Sequence, residues 1–369
     1  MARYISYMGN RKPDGPLRKG WTTGACATAA ATAAYEALVT GSFPDPITIA
    51  LPKGLQPSFT LKSHQIGDDW ARASVIKDAG DDPDVTHGAE IVATVKRGAD
   101  GSGITFHAGD GVGTVTLPGL PLPVGEPAIN PKPREIMCDN LRTRAATLKG
   151  PADLAVTIAI PGGELLAEKT MNGRLGIKGG LSVLGTTGIV IPYSCSSWIH
   201  SIQRGVDVAR AGGITHIAAA TGSTSEAAIQ KMLGLPETAL IDMGDFAGGL
   251  LKYLRENPVP RLTLAGGFGK ITKLSQGALD LHSSRSRVDM AKLAQVAVTG
   301  GGSADLASKI EAANTALEAF TLATSDGIHI ASTIARQARE VAMATVSGNM
   351  EIHVVIFDRQ GQLIGQSDG

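Results

Sequence analysis

ITHIAAATGSTSEAAIQKMLGLPETALIDMGDFAGGLLKYLRENPVPRLTLAGGFGKITKLSQGALDLH, residues 214–282, decides the fold class of this chain. Three short apolar runs, ITHIAAA, TALIDM and RLTLAGG, alternate with the helical stretches SEAAIQKMLG, FAGGLLKYLREN and ITKLSQGALDLH, with Gly and Pro at the joints. Upstream, GIVIPY followed by SWIHSIQRGVDVAR extends the count to four strand–helix repeats. Such alternation predicts a mainly parallel, Rossmann-like sheet with right-handed crossovers. The chain then reads as helical to Val346, with Ile330, Ile334, Ala338 and Val341 on one face, and EIHVVIFD, apolar on both faces, predicts a strand returning to the interior of the same sheet.

Toward the N-terminus the pattern differs. TTGACATAAATAAYEALV, residues 22–39, predicts an alanine-rich helix with a threonine cap and a surface that a neighbour can approach closely. The runs PITIAL, FTLKSH, ARASVIK, EIVATVK and the alternation at Thr114–Leu117 read as strands between Gly, Pro and Asp turns, and the proline-rich GLPLPVGEPAINPKPREIMCDN turns helical near Lys132. ADLAVTIAI and ELLAEKT read as a further β pair. The fold class is therefore an α+β domain joined to an α/β domain, divided between 171 and 184, with domains 1–180 and 181–369.

Of the 369 residues, 34 are Lys or Arg and 34 Asp or Glu, so no net field exists to hold nucleic acid. Cys26, Cys138 and Cys195 form no CxxC pair and read as reduced thiols of a cytoplasmic protein. MARYISYMGNRKPDGP lacks the apolar run of a signal peptide, and no segment approaches the ~18 apolar residues of a membrane span.

In a parallel sheet, ligands gather beyond the carboxyl ends of the strands. Here TGSTSE offers Gly222 for close backbone approach and Ser223 or Thr224 as a cap, with Glu226 placed for a capping box. Asp242, twenty residues beyond Gly222, and Gly244 follow the next strand; Gly266, Gly267 and Lys270 follow the one after, where backbone and cation suit an anion. The P-loop pattern fails at Leu264 and Ile271, and no GxGxxG is present. On these residues alone, a nucleotide-like cofactor and a purely structural reading both stand. The acidic stretch KDAGDDPDVTHGAE, residues 77–90, fails the EF-hand at Thr86 and His87, and the scattered histidines give no zinc spacing. Its plainest reading is a loop whose carboxylates cap backbone N–H groups.

Taken in order, LRKGWTTGACATAAATAA, KDAGDDPDVTHGAEI, GLPLPVGEPAINPKPRE, KTMNGRLGIKGGLSVLGTTGIVIPYS, TGSTSE and GGFGKITKLSQGALDLHSSRS resemble the cobalt-precorrin-5B C1-methyltransferase family of cobalamin biosynthesis over nearly the whole chain. The resemblance implies methyl transfer from S-adenosylmethionine to C1 of a corrin precursor, with no metal held by the protein. The family lacks the glycine-rich first-strand motif of ordinary methyltransferases, so the cofactor contacts are inferred from the strand ends read above: Gly222, Ser223, Thr224, Glu226, Asp242, Gly244, Gly266 and Gly267. The resemblance makes Asp78, Asp82 and His87 catalytic candidates, without a named base. Thr22, Thr23, Asp81, Asp84, Arg174, Lys178, Lys270, Lys273 and His282 become substrate contacts, backed by the cations Arg18, Lys19, Lys132, Arg134, Arg285 and Arg287. The expected picture is a tetrapyrrole enclosed by both domains, with hand-over to neighbouring pathway enzymes and homo-oligomers left open. Rival readings are a magnesium-dependent phosphoryl-transfer enzyme and a tetrapyrrole carrier without catalysis.

Overall fold

The structure is a computed structural model that describes residues 15–368. Most of the stretch read as lacking a signal peptide, up to residue 14, lies outside the described residues. The chain falls into two compact units that divide between Ser194 and Cys195.

The first unit is built on helix α1 (Thr23–Thr40). Thr22 is extended and its hydroxyl accepts a hydrogen bond from the Ala25 N–H at 3.2 Å, while Gly41 closes the helix at φ 76°. The alanines make both faces of α1 thin, so it is enclosed by strands and by α2 (Pro131–Leu148). Cys26, Ala27, Ala30, Ala31 and Ala34 are wholly buried. Thr28 and Thr32, equally buried, satisfy their hydroxyls on the Gly24 and Thr28 carbonyls, 2.8 and 2.7 Å away.

Beside α1 stand β1 (Ser63–Ile66), β2 (Trp70–Ile76), β3 (Glu90–Arg97), β4 (Ile104–Ala108) and β5 (Leu154–Ala159). Their order is β1-β2-β3-β5-β4, antiparallel except for the parallel β4–β5 pair. Buried residues alternate, with Ala71, Ala73 and Val75 on β2 and Ile91, Ala93 and Val95 on β3 turned to the core. Strand β4 has no counterpart in the sequence reading, because its side chains are half-buried or exposed and carry no alternation.

Two expectations are corrected here. ELLAEKT is no strand: helix Gly163–Ala167 starts after Gly162 at φ 75°, and Glu164 turns back to accept the Gly111 N–H at 2.7 Å. GIVIPY does not join the parallel sheet: Ile189–Val190 pairs antiparallel with Gly20–Trp21. The whole segment 181–190 is bonded into the first unit, Leu181 to Gly111, Val183 to Ala128 and Thr22 to Gly188. The division at 194 thus lies beyond the expected 180 because these backbone bonds run backward.

The second unit begins with α3 (Cys195–Ala211) and then alternates β6 (His216–Ala220), α4 (Ser223–Leu233), β7 (Leu240–Asp242), α5 (Ala247–Glu256), β8 (Arg261–Gly267) and α6 (Phe268–Ser275). Helices α7 (Met290–Thr299), α8 (Ala304–Ala312), α9 (Ala316–Ser325) and α10 (Ala331–Val346) precede β9 (Glu351–Phe357) and β10 (Leu363–Gln366). The sheet runs β7-β6-β8-β9-β10, parallel but for β10. Ile217, Ala219, Leu262, Leu264, Val354 and Ile356 face the larger core, and Ala218, Ala220, Ala265 and Val355 face α4. Both faces of the strands are covered, which explains runs as uniformly apolar as RLTLAGG and EIHVVIF.

Candidate functional site

The acidic stretch is the connection between β2 and β3. Lys77 prolongs the ladder, its N–H bonded to the Ala89 carbonyl and its carbonyl to the Gly88 N–H, and residues 78–87 project from that base. The strand Gly20–Trp21 seals one side: the Trp21 N–H meets the Asp78 carbonyl at 2.7 Å. The approach is so close that a Cβ on Gly20 would lie 2.0 Å from the Ala79 carbonyl carbon. Gly80, at φ 68°, would place a Cβ 2.2 Å from the Arg18 oxygen.

Side chains lock the loop. The Arg18 guanidinium grips Asp78 with both arms, at 2.5 and 2.9 Å, while its backbone N–H donates to Asp81 at 2.6 Å. The Gly80 N–H adds a further bond to Asp78 at 2.9 Å. Hydrogen bonds from Arg18 and then Gly80 hold the Asp78 carboxyl down at about 2, against a modest opposing effect of burial. Asp82 accepts the N–H of Tyr193, a residue at φ 57°, at 2.8 Å. Lys77, only 2% exposed, is paired with Asp84 and donates to the Thr86 hydroxyl at 2.5 Å. Asp84 also accepts from the Thr86 N–H and hydroxyl, at 2.8 and 2.6 Å. Burial pushes the Asp84 carboxyl up, but the charge and hydrogen bonds of Lys77 and Thr86 outweigh it and leave it below the usual range. The same burial drives the Cys26 thiol up to about 12, despite the nearby Lys77 charge. His87 stays about half exposed, and its Nδ1 accepts the Ala79 N–H at 3.1 Å.

The structure therefore brings Asp78, Asp81, Asp82, Asp84 and His87 together with Thr22 at the mouth of α1. Thr22 and Thr23 are buried, at 7% and 4%, and the Thr22 hydroxyl is engaged in the cap. Arg174 is half-buried, and Lys178 is exposed on the short pair Ile177–Lys178 with Thr114–Val115.

In the second unit, β6 lies between β7 and β8, and the chain passes from β6 first to one neighbour and then to the other. The carboxyl ends of β6 and β8 flank the point where strand order reverses, the usual ligand position in such sheets. Gly222 and Gly267 stand there with open space where a Cβ would point, whereas a Cβ on Gly266 would press on Thr221 at 2.8 Å. The expected cap is shifted: Gly222, extended at φ 168° just beyond β6, is itself the N-cap, so Ser223 already lies inside α4. Helix α6 begins after Gly267, likewise without a side-chain cap. Asp242 ends β7, and its carbonyl accepts the Trp198 indole N–H at 3.1 Å; Gly244 follows at φ 53°.

Lys270, expected as a cation for an anionic ligand, turns back on the protein. Its ammonium donates to the Thr221 carbonyl at 2.7 Å and sits 3.1 Å from a carboxylate oxygen of Asp245, near enough to pair though not aligned as a hydrogen bond. Lys273 donates to the Leu281 carbonyl at 2.8 Å; burial lowers its ammonium, with Lys270 adding to the effect and Asp245 opposing it. His282 shares a hydrogen bond with Ser284 at 2.7 Å. Arg18, Lys132, Arg134, Lys270 and Arg285 all have a carboxylate partner, and Lys19 and Arg287 are exposed.

Sequence reasoning passed over Lys77 and Asp245. For Lys77 a signal existed, since the period-two positions 71, 73 and 75 point inward and 77 continues them. Asp245, 4% exposed, stood three residues past the acid that was chosen. Among the described residues no group of three or more His, Cys, Asp or Glu is placed to hold a metal ion, and no helix is long and apolar enough to cross a membrane.

Residues 10–192 match the family model CbiD, and residues 280–368 match CbiD, C-terminal domain. The chain is 56% identical over 359 residues to a protein of Brucella canis named cobalt-precorrin-5B C(1)-methyltransferase, covering 97% of this chain and 98% of that one. It matches namesakes in Brucella suis and Brucella ovis at the same identity and coverage. A crystal structure titled cobalamin biosynthesis protein (cbiD), from Archaeoglobus fulgidus, is similar at 28% identity and a TM-score of 0.41, over 74% of this chain and 84% of that one. Matched by both family models and by relatives along nearly its full length, the chain belongs to the CbiD family.

Proposed function

We propose that the protein is an S-adenosylmethionine-dependent C-methyltransferase that methylates C1 of cobalt-precorrin-5B, or its cobalt-free counterpart, to give cobalt-precorrin-6A in cobalamin biosynthesis. The observation that carries this reading is 56% identity over 97% of the chain to proteins named for that reaction.

The methyl donor fits the strand ends of the second unit, read as a Rossmann-like sheet. Gly222 and Gly267 leave open space beside two helix starts that lack side-chain caps, which suits the carboxylate of an amino-acid moiety. Ser223, Thr224 and Gly266 complete that rim, and Asp242 with Gly244 and Glu226 offers acceptors for ribose hydroxyls and an ammonium group. Bound there, the donor supplies a methyl group on a positively charged sulfur. The protein's part is to hold the acceptor carbon in line with that methyl and to exclude water.

The first unit supplies a rigid polar loop for the macrocycle. Asp78 is held at about 2 and bonded to Arg18 and Gly80, so it serves as an anchor and is a poor proton acceptor. Asp82 ties the loop to Tyr193. Exposed Lys178 is a cation for the carboxylates of the pigment, and Arg174 is the second proposed contact. Cobalt, when present, arrives in the macrocycle as part of the substrate. Hand-over to adjacent pathway enzymes belongs to the same reading.

Incubating purified precursor with the protein and isotopically labelled donor tests it. A mass gain of one methyl, located at C1 by NMR, is the expected result. Pigment binding with no mass gain would make the chain a carrier, and magnesium-dependent ATP turnover would make it a phosphoryl-transfer enzyme.

A further inference from the structure

His87 has two ring nitrogens in different situations. Nδ1 accepts the backbone N–H of Ala79 at 3.1 Å, and a nitrogen that accepts a hydrogen bond carries no proton. The neutral ring must then bear its proton on Nε2, which has no hydrogen-bond partner among the described residues. An aspartate that orients a basic histidine would have to receive an N–H from Nδ1. The nearest carboxylate oxygen, on Asp78, is 3.9 Å away and already takes the Arg18 and Gly80 N–H groups. The geometry of an Asp–His base is therefore missing, and that of a donor is present.

The ring is held there by a structure beneath it. The His87 N–H donates to the Asp84 carbonyl at 3.0 Å, so the turn that presents the ring is the turn that Asp84 closes. Asp84 in turn is fixed by the buried Lys77 and by Thr86, whose hydroxyl accepts from Lys77 and donates to Asp84. A lysine 2% exposed is costly to keep unless its charge has a task, and here the task is to immobilise Asp84.

We infer that Lys77, Asp84 and Thr86 form a buried positioning network that fixes His87 as a hydrogen-bond donor through Nε2, aimed at an oxygen of the bound macrocycle such as a side-chain carboxylate, and not as the proton acceptor of the reaction. The inference rests on the reading that this loop meets the tetrapyrrole.

Nitrogen-15 NMR of the imidazole in the ligand-free protein reads the tautomer directly. The expected result is a protonated Nε2 and a bare Nδ1 in the native chain, with the preference lost in Thr86→Val and kept in Thr86→Ser. A proton on Nδ1, or an unchanged tautomer in Thr86→Val, overturns the network. Steady-state methyl transfer then separates donor from base. A ground-state donor to a charged oxygen predicts that His87→Ala raises KM about tenfold or more while kcat holds, and that His87→Gln, whose amide N–H lies near Nε2, recovers most of that loss. A fall in kcat shared by Ala and Gln variants makes His87 a proton acceptor and overturns the inference. Native kinetics in the Ala variant would remove His87 from the substrate while leaving the methyl transfer itself intact. No methyl transfer from the native chain would sink the proposed function, and the tautomer would still decide the network.

Discussion

The acidic loop of the first unit and the strand ends of the second are built by opposite means. At 77–90 nearly every polar side chain is already tied, Lys77 to Asp84 and Thr86, Arg18 to Asp78 and Asp82 to Tyr193. At Gly222 and Gly267 there is no side chain at all, only open space beside helix starts. The loop presents a fixed array of side chains, whereas the glycines present backbone beside helix starts whose N-cap residues carry no side chain. The same residue type thus sits in different surroundings in the two places: a Cβ on Gly20 or Gly80 would strike backbone, whereas one on Gly222 or Gly267 would enter open space.

Substitution should expose that difference. The largest effect is expected from Gly20→Ala: with backbone atoms 2.0 and 2.3 Å from the new Cβ and no flexible tip to give way, the first unit should lose about 3 kcal/mol or more in urea unfolding. A stable variant would mean that the loop stands off the strand. Next comes Gly222→Val, whose Cβ enters open space on extended backbone that any residue adopts. Unfolding should shift by less than about 1 kcal/mol, while calorimetry with S-adenosylhomocysteine should show about tenfold weaker binding. Unchanged affinity there, and in Asp242→Ala, would move the methyl donor elsewhere. The smallest effect belongs to Asp78→Asn. Since the folded carboxyl lies near 2 against an ordinary 3.8, its share of stability is present above the ordinary value and lost as pH falls between the two. The variant's acid-unfolding curve should flatten in that window and match the native slope above pH 5. Because Asp78 is close to half exposed, solvent screening keeps the effect small.

What the sequence made legible follows locality. The cap at Thr22, the helix after Pro131 and the alternation of β2 and β3 are decided by neighbours a few residues away, and each could be read. Pairings across distance could not. Ile189–Val190 looked like the first strand of a parallel sheet until Gly20–Trp21, far back in the chain, was found beside it. ELLAEKT is rich in good helix formers and is a helix at Gly163–Ala167, with Glu164 reaching back to Gly111; its propensity was the local signal the strand reading overrode. At the start of α4 the cap was expected at Ser223 or Thr224, yet Gly222 is the N-cap and Ser223 lies inside the helix, a shift that local residue types do not announce. The union of Arg18 with Asp78 spans sixty positions, and no local pattern announces it. Lys77 was the recoverable loss, since continuing the count from Val75 would have turned it inward.

Helix α1 surrounds Cys26 with small, tightly enclosed neighbours, and the thiol is raised to about 12. In the folded protein it is therefore inert toward alkylating reagents, whereas Cys138 and Cys195 are partly accessible. Capture of the third thiol becomes a clock for the opening of the first unit, one that runs without any label having to be engineered.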